Sequence, residues 1–186
     1  MSLGRYYPVG DMARIEVFGT LDSVRSDFLD PKGFAEWEAT LPASFKRDPI
    51  WRTPAYRFGV WLSDLVKSDA TALRTNRNMR NDADQLLRAV GGISSNLSEG
   101  YSRTTGLERA RYYEYALATT RESRDWYFKA RLTLGDDIVA QRFEVLDRII
   151  RILTAVIPRE RENKSRPQRG KTRDNKPPRR NDGQAT

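Results

Sequence analysis

The sequence predicts an all-α protein: an antiparallel up-down-up-down four-helix bundle with an N-terminal appendage and a disordered basic C-terminal tail. Three observations predict it. Residues 54–158 hold four stretches whose apolar residues recur every three or four positions, the period of an amphipathic helix. Turn-forming residues separate these stretches by only a few positions, so consecutive helices should reverse direction. No alternating strand pattern of useful length competes.

Residues 1–53 form the appendage. They carry no long helical stripe and are punctuated by glycine and proline from Gly4 to Pro49. Short helices are expected at 21–29 and 31–40, with Pro31 in the first turn of the second and Phe34 and Trp37 on one face. Residues 13–18 suit a short strand or an extended arm. Phe18, Phe28, Phe34, Trp37, Phe45 and Trp51 are too many aromatics for a free linker. The segment is expected to pack on the main domain or on a neighbouring subunit.

The first long helix is expected over 54–75. Phe58, Leu62, Leu65, Val66 and Leu73 make its stripe, with Asp69 as an interruption. The second is expected over 79–99, with Met79, Ala83, Leu86, Leu87, Val90, Ile93 and Leu97 stepping by three and four. Asn81 or Asp82 can cap its start or complement its dipole. Gly100 can supply a left-handed residue at its end. Gly91, Gly92, Ser94 and Ser95 fall inside it. Interior glycines cost about 1 kcal/mol each relative to alanine, so they imply close approach of another backbone, within the chain or across a subunit contact. Glu99 sits where the helix dipole disfavours a carboxylate, so it needs a cation, with Arg103, Arg121 and Arg124 as candidates.

The third helix is expected over 105–134. Thr104 or Thr105 can cap it, and Glu108 completes a capping-box spacing with Thr105. Leu107, Ala110, Tyr113, Leu117, Tyr127, Ala130 and Leu134 define its buried face, and Gly135 ends it. The fourth is expected over 136–159. Asp136 or Asp137 caps it, and its stripe is Val139, Phe143, Leu146, Ile149, Ile150, Leu153, Val156 and Ile157. Residues 54–158 thus form the bundle and 159–186 the tail.

Charge separates these regions. The 186 residues carry 33 Lys and Arg against 25 Asp and Glu, a net +8. Residues 159–186 hold ten of the basic and four of the acidic groups, a net +6. The tail has no aliphatic or aromatic side chain larger than alanine, apart from three prolines. Such a stretch cannot bury enough apolar surface to offset its ordering entropy. It can attach electrostatically to phosphates or simply keep the protein in solution.

The chain has no Cys and no His. Disulfides, Cys/His zinc sites, Ser-His-Asp triads and Cys nucleophiles are excluded. The di-iron site of carboxylate bundles needs His ligands and is excluded too. An all-carboxylate site from Glu99, Glu114 and Glu122 is the remaining metal option, and salt bridges explain those residues more cheaply. No cofactor or metal is expected, and no Gly-rich phosphate loop follows a strand. Met1 to Gly10 lacks a signal-peptide core, and no segment has the length of a membrane span, so a cytoplasmic protein is the expectation.

The positive signal is arginine beside aromatic residues. Arg74, Arg77, Arg80 and Arg88 cluster around the first connection and the second helix. Arg103, Arg109 and Arg111 cluster at the second connection, beside Tyr101, Tyr112 and Tyr113. Arg pairs with phosphate and aromatics stack on unpaired bases. Arg166, Arg169, Lys171 and Arg173 of the tail would add salt-sensitive attraction.

Residues 85–100 read QLLRAVGGISSNLSEG. This resembles the helix-two signature of the bacterial four-helix-bundle family that includes the 23S ribosomal RNA intervening-sequence proteins. Gln85, Leu86, Arg88, Ala89, Ile93, Asn96, Glu99 and Gly100 match that signature without a gap. Tyr101 and Arg103 stand at its aromatic-Gly-Arg turn, and Glu108, Arg111, Tyr112, Ala116 and Glu122 fit its third helix. Ser94, Arg109 and Ala110 depart from it, and residues 1–53 and the tail lie beyond its usual length.

The resemblance covers about residues 55–158. It implies a four-helix bundle that assembles as a homopentamer and has no established enzymatic activity. It gives Gln85, Asn96, Glu99, Gly100 and Glu122 as motif residues of structural weight. A more distant likeness is to accessory proteins of diversity-generating retroelements, which are thought to bind nucleic acid. The expected function is therefore a non-enzymatic homo-oligomer that binds nucleic acid, RNA rather than DNA. The alternative is an adaptor that docks through residues 1–53 onto a protein partner.

Overall fold

The computed structural model describes Pro31 and residues 33–163. The regular elements among them are all helical. They are α1 (Phe34–Thr40), α2 (Pro54–Thr75), α3 (Arg80–Tyr101), α4 (Gly106–Leu134) and α5 (Asp136–Glu162). Short 3-10 turns at Phe45–Arg47, Pro49–Arg52 and Arg77–Met79 join them. The helix expected at 21–29, the strand or arm at 13–18, and the tail from residue 164 onward lie outside the described residues.

Contacts fix the direction of each long helix against the next. Gly59 of α2 lies against Ile93 and Ser94 of α3, and Arg74 meets Asp84. Gly92 of α3 faces Thr119 of α4, and Gly100 faces Tyr112. Glu114 of α4 meets Arg161 of α5, and Arg124 meets Asp147. In every pair the numbers rise along one helix as they fall along the other, so consecutive helices run antiparallel. Asp69 of α2 meets Arg142 of α5 and brings the first long helix against the last.

The expected stripes supply the core. Leu62, Leu73, Leu86, Ile93, Leu97, Tyr127, Leu146, Ile149 and Leu153 are all fully buried. Burying such side chains stabilises the fold by roughly 1.5–3 kcal/mol each. Leu107 departs from its expected place and is 68% exposed. Its neighbour Gly106 is the residue that packs onto the end of α5, which turns Leu107 one helical step outward.

Asp69 is not a break in the stripe of α2 but a buried partner. Arg142 donates from Nε to Asp69 Oδ2 (2.8 Å) and from Nη2 to Oδ1 (3.1 Å), and the Tyr127 hydroxyl donates to Oδ2 (2.9 Å). Burial opposes the charge of Arg142, and the hydrogen bonds to Asp69 outweigh it and raise its pKa. The three residues link α2, α4 and α5.

Part of the appendage folds onto α2. Phe34 is buried against Phe58 and Trp61 in edge-on contacts. Glu38 takes two hydrogen bonds from Arg57 (2.8 and 2.7 Å) and one from the Trp51 indole (3.0 Å). Pro31 lies before α1 rather than in its first turn; Gly33, at φ 90°, is the N-cap residue of that helix.

Several helix ends differ from expectation for local reasons. Gly100 is helical and buried, and Ser102 is the C-cap of α3. A Cβ on Gly100 would stand 2.9 Å from Tyr112 and Tyr113, so its smallness serves helix approach, not a left-handed cap. Gly135, at φ 88°, precedes α5, so Asp136 and Asp137 occupy the first turn rather than the cap. Thr105 caps α4 as expected, accepting from Glu108 N (3.2 Å). The Thr105 hydroxyl donates in turn to the Glu108 carboxylate (2.9 Å). The last helix passes Pro158 and continues to Glu162, beyond the point where the tail was expected to begin. Arg109–Glu160 and Glu114–Arg161 tie that last turn to α4.

Candidate nucleic-acid interface

The two arginine clusters occupy opposite ends of the long helices. Antiparallel packing puts the α2–α3 connection at one end and the α3–α4 connection at the other. A 22-residue helix separates them, about 33 Å at 1.5 Å per residue.

At the first end, Asn76 organises the connection. Its Oδ1 accepts from Asn78 N (3.1 Å), and its backbone carbonyl accepts from Met79 N (3.0 Å). The resulting single 3-10 turn leaves Arg77 and Arg80 exposed. Arg88, two helical turns along α3, is exposed as well. None of these three makes an ion pair among the described residues. Arg74 does, with Asp84 (2.6 Å), which lies between Arg80 and Arg88 on the same stripe of α3. The four guanidinium groups outnumber the carboxylates of Asp82 and Asp84 along this part of α2 and α3, which is therefore positive, while Asp136 and Asp137 at the α4–α5 connection lie at the same end.

At the other end the arginines are engaged. Arg103 donates to Glu99 (2.5 Å) and to the Tyr112 hydroxyl (2.6 Å), and its guanidinium sits 4.5 Å over the Tyr112 ring. Arg103 is thus the cation that Glu99 requires. A hydrogen bond from the Tyr112 hydroxyl to Glu99 is the first cause that raises the Tyr112 pKa, and Arg103 opposes it. Arg109 donates to Glu160 (2.9 Å) and to the Arg103 carbonyl (2.7 Å). Arg111 donates to the Tyr115 hydroxyl (2.8 Å) and remains exposed. Tyr113 is buried, and burial followed by the nearby Glu160 charge raises its pKa to about 12. Arg103 and Arg109 thus brace the junction of α3, α4 and α5, which the sequence grouping read as a phosphate-facing set.

The motif residues are scattered along the helices. Gln85 and Asn96 are half-buried, and Glu122 is exposed and accepts from the Trp126 indole (3.5 Å). Glu99, Glu114 and Glu122 have separate partners in Arg103, Arg161 and Trp126. Among the described residues no three acidic groups gather to hold a metal ion. Arg166, Arg169, Lys171 and Arg173 lie outside the described residues. No described helix is long and apolar enough to cross a membrane.

Compared with known proteins, the chain matches no family model, no curated protein and no solved structure.

Proposed function

We propose that this chain is a non-enzymatic, up-down-up-down four-helix bundle that self-associates and binds nucleic acid, RNA in preference to DNA. The observation that carries the reading is the α2–α3 end. Arg77, Arg80 and Arg88 are exposed there with no ion pair among the described residues. A guanidinium free of internal carboxylates can meet phosphate without first breaking a pair. Arg74 adds to the field, and Arg166, Arg169, Lys171 and Arg173 would add sequence-independent attraction. The resemblance to the intervening-sequence family supports the bundle and the preference for RNA, and suggests a pentamer.

Self-association draws support from α4. That helix buries one face in the core and also exposes Leu107, Tyr115, Phe128 and Leu132. Copies that pair through such a face would multiply the basic ends and raise avidity.

The test measures binding of single-stranded RNA, duplex RNA and DNA to the full chain over a salt series. Arg77, Arg80 and Arg88 are changed together to Glu in one variant, and a second chain ends at Asn163. Each lost phosphate contact should flatten the log–log salt slope by about 0.7–0.9, so the triple variant should lose about 2 from it. Changing Arg109, whose guanidinium is held by Glu160, to Gln should leave the slope near that of the parent. Absence of binding at low salt, or a slope indifferent to the triple change, would sink the reading. Recovery of a protein partner without nucleic acid would favour the adaptor.

A further inference from the structure

A cleft of ≈ 1130 Å³ opens between the folded part of the appendage and the ends of the long helices, away from the α2–α3 arginines. Ile152 and Val156 of α5 give it an apolar floor, with Leu97 and Leu153 buried beneath them. Its rim carries Glu38, Glu160, Lys46, Arg52, Arg57 and Arg109.

The internal pairing decides what charge the rim presents. Arg57 neutralises Glu38, with hydrogen bonds to both carboxylate oxygens. Arg109 neutralises Glu160. Both carboxylates are thereby accounted for. Lys46 donates to the Glu38 backbone carbonyl (3.1 Å) and makes no ion pair among the described residues. Arg52 is exposed and makes no ion pair among the described residues. Two cations therefore remain beside an apolar floor. Such a site favours a ligand with an apolar body and an anionic head, since burial of the body supplies affinity and the head finds charge at the rim.

We propose that this cleft binds a small amphipathic anion: an acyl or aryl group that ends in a carboxylate or phosphate monoester. The apolar body lies along Ile152 and Val156, and the head meets Arg52 and Lys46. The site is independent of the nucleic-acid reading, because it uses the opposite end of the helices.

Titration calorimetry on the full chain tests it, with dodecanoate and dodecyl phosphate below their micelle concentrations. One equivalent of each should bind, and dodecyltrimethylammonium and acetate should bind far more weakly. Arg52→Glu with Lys46→Glu should weaken the anions by about tenfold, the effect of reversing two partly exposed charges. Val156→Trp, which fills the floor, should abolish binding while the far-ultraviolet dichroism stays unchanged. Amide shifts in the spectrum of the labelled protein should gather at Trp51, Arg52, Tyr101 and Val156. Equal binding of the cationic amphiphile would overturn the proposal. So would anion binding that neither variant affects, shifts centred on Phe128 and Leu132, or no binding to the parent chain.

Discussion

Arg142 of α5 grips Asp69 of α2 through both carboxylate oxygens, at 2.8 and 3.1 Å, inside the helix core. Tyr127 of α4 completes the group. Asp69 is 3% exposed and Arg142 8% exposed, so neither charge has water to fall back on. A pair of this kind specifies which helices meet more than it strengthens their meeting. Its attraction mainly repays the cost of dehydrating two ions.

That balance makes single and double changes differ. Asp69→Leu leaves a buried guanidinium without its partner and should cost about 3–5 kcal/mol of stability. Arg142→Met should cost a similar amount. The double change Asp69→Leu with Arg142→Met should lie within about 1 kcal/mol of the parent, or above it. Denaturant unfolding of the four proteins gives the coupling energy directly. Equal losses for the singles and the double would show that packing, not charge, holds this position.

The glycines of α3 and α4 should respond in opposite directions. A Cβ on Gly106 would lie 2.3 Å from the Glu160 carbonyl and 2.6 Å from that of Asn163. Those are backbone atoms, so Gly106→Ala must push α5 away, and a loss of roughly 1–3 kcal/mol is expected. Gly91 is helical, and a Cβ there meets nothing within 4 Å. Gly91→Ala should therefore stabilise by about 0.4–1 kcal/mol through the unfolded chain and helix propensity. Thermal melting of both variants checks the pair. A stabilising Gly106→Ala would mean that the start of α4 and the end of α5 are not in contact.

Self-association should depend on the outward side of α4. Leu132 is 88% exposed and Phe128 52%. Changing both to Glu removes apolar surface without touching the core. Sedimentation should then show a shift to smaller species, with the melting temperature of the dilute protein unchanged. Identical sedimentation of parent and variant would place any subunit contact elsewhere.

Helix positions were legible in the sequence because the signals are local. Thr53–Pro54 opens α2, and Gly135 alone turns the chain from α4 to α5. The partners of charged residues were not legible. Periodicity treats Asp69 as a flaw in one stripe and passes over Arg142, which lies between Val139 and Leu146 on another. Each is unexceptional alone. Opposite charges on two buried stripes are the signal that joins them. The same limit applies to the arginine clusters. Proximity to a connection identifies the end of the helix, but Arg109 finds its carboxylate 51 residues away in Glu160, and Arg77 finds none among the described residues.

Alkaline pH should loosen the fold through its buried tyrosines. Burial first, then the Glu160 charge, raise the Tyr113 phenol from 10.0 to about 12. Burial first, then the Asp69 charge, raise Tyr127 as well. The unfolded chain ionises both near the ordinary value of about 10. The folded pKa is the higher one, so this contribution is complete below about pH 10 and is lost as pH rises from there through about 12. Above that window, Tyr113 alone accounts for a loss on the order of 2 kcal/mol. Denaturant midpoints measured from about pH 9 to about pH 11.5, together with phenolate absorbance, follow the loss. Tyr113→Phe removes the titrating hydroxyl and keeps the ring, so its stability should fall less steeply across the same window. A slope unchanged by that substitution, or all eight tyrosines ionising together near the ordinary value while the chain is still folded, would contradict the assignment.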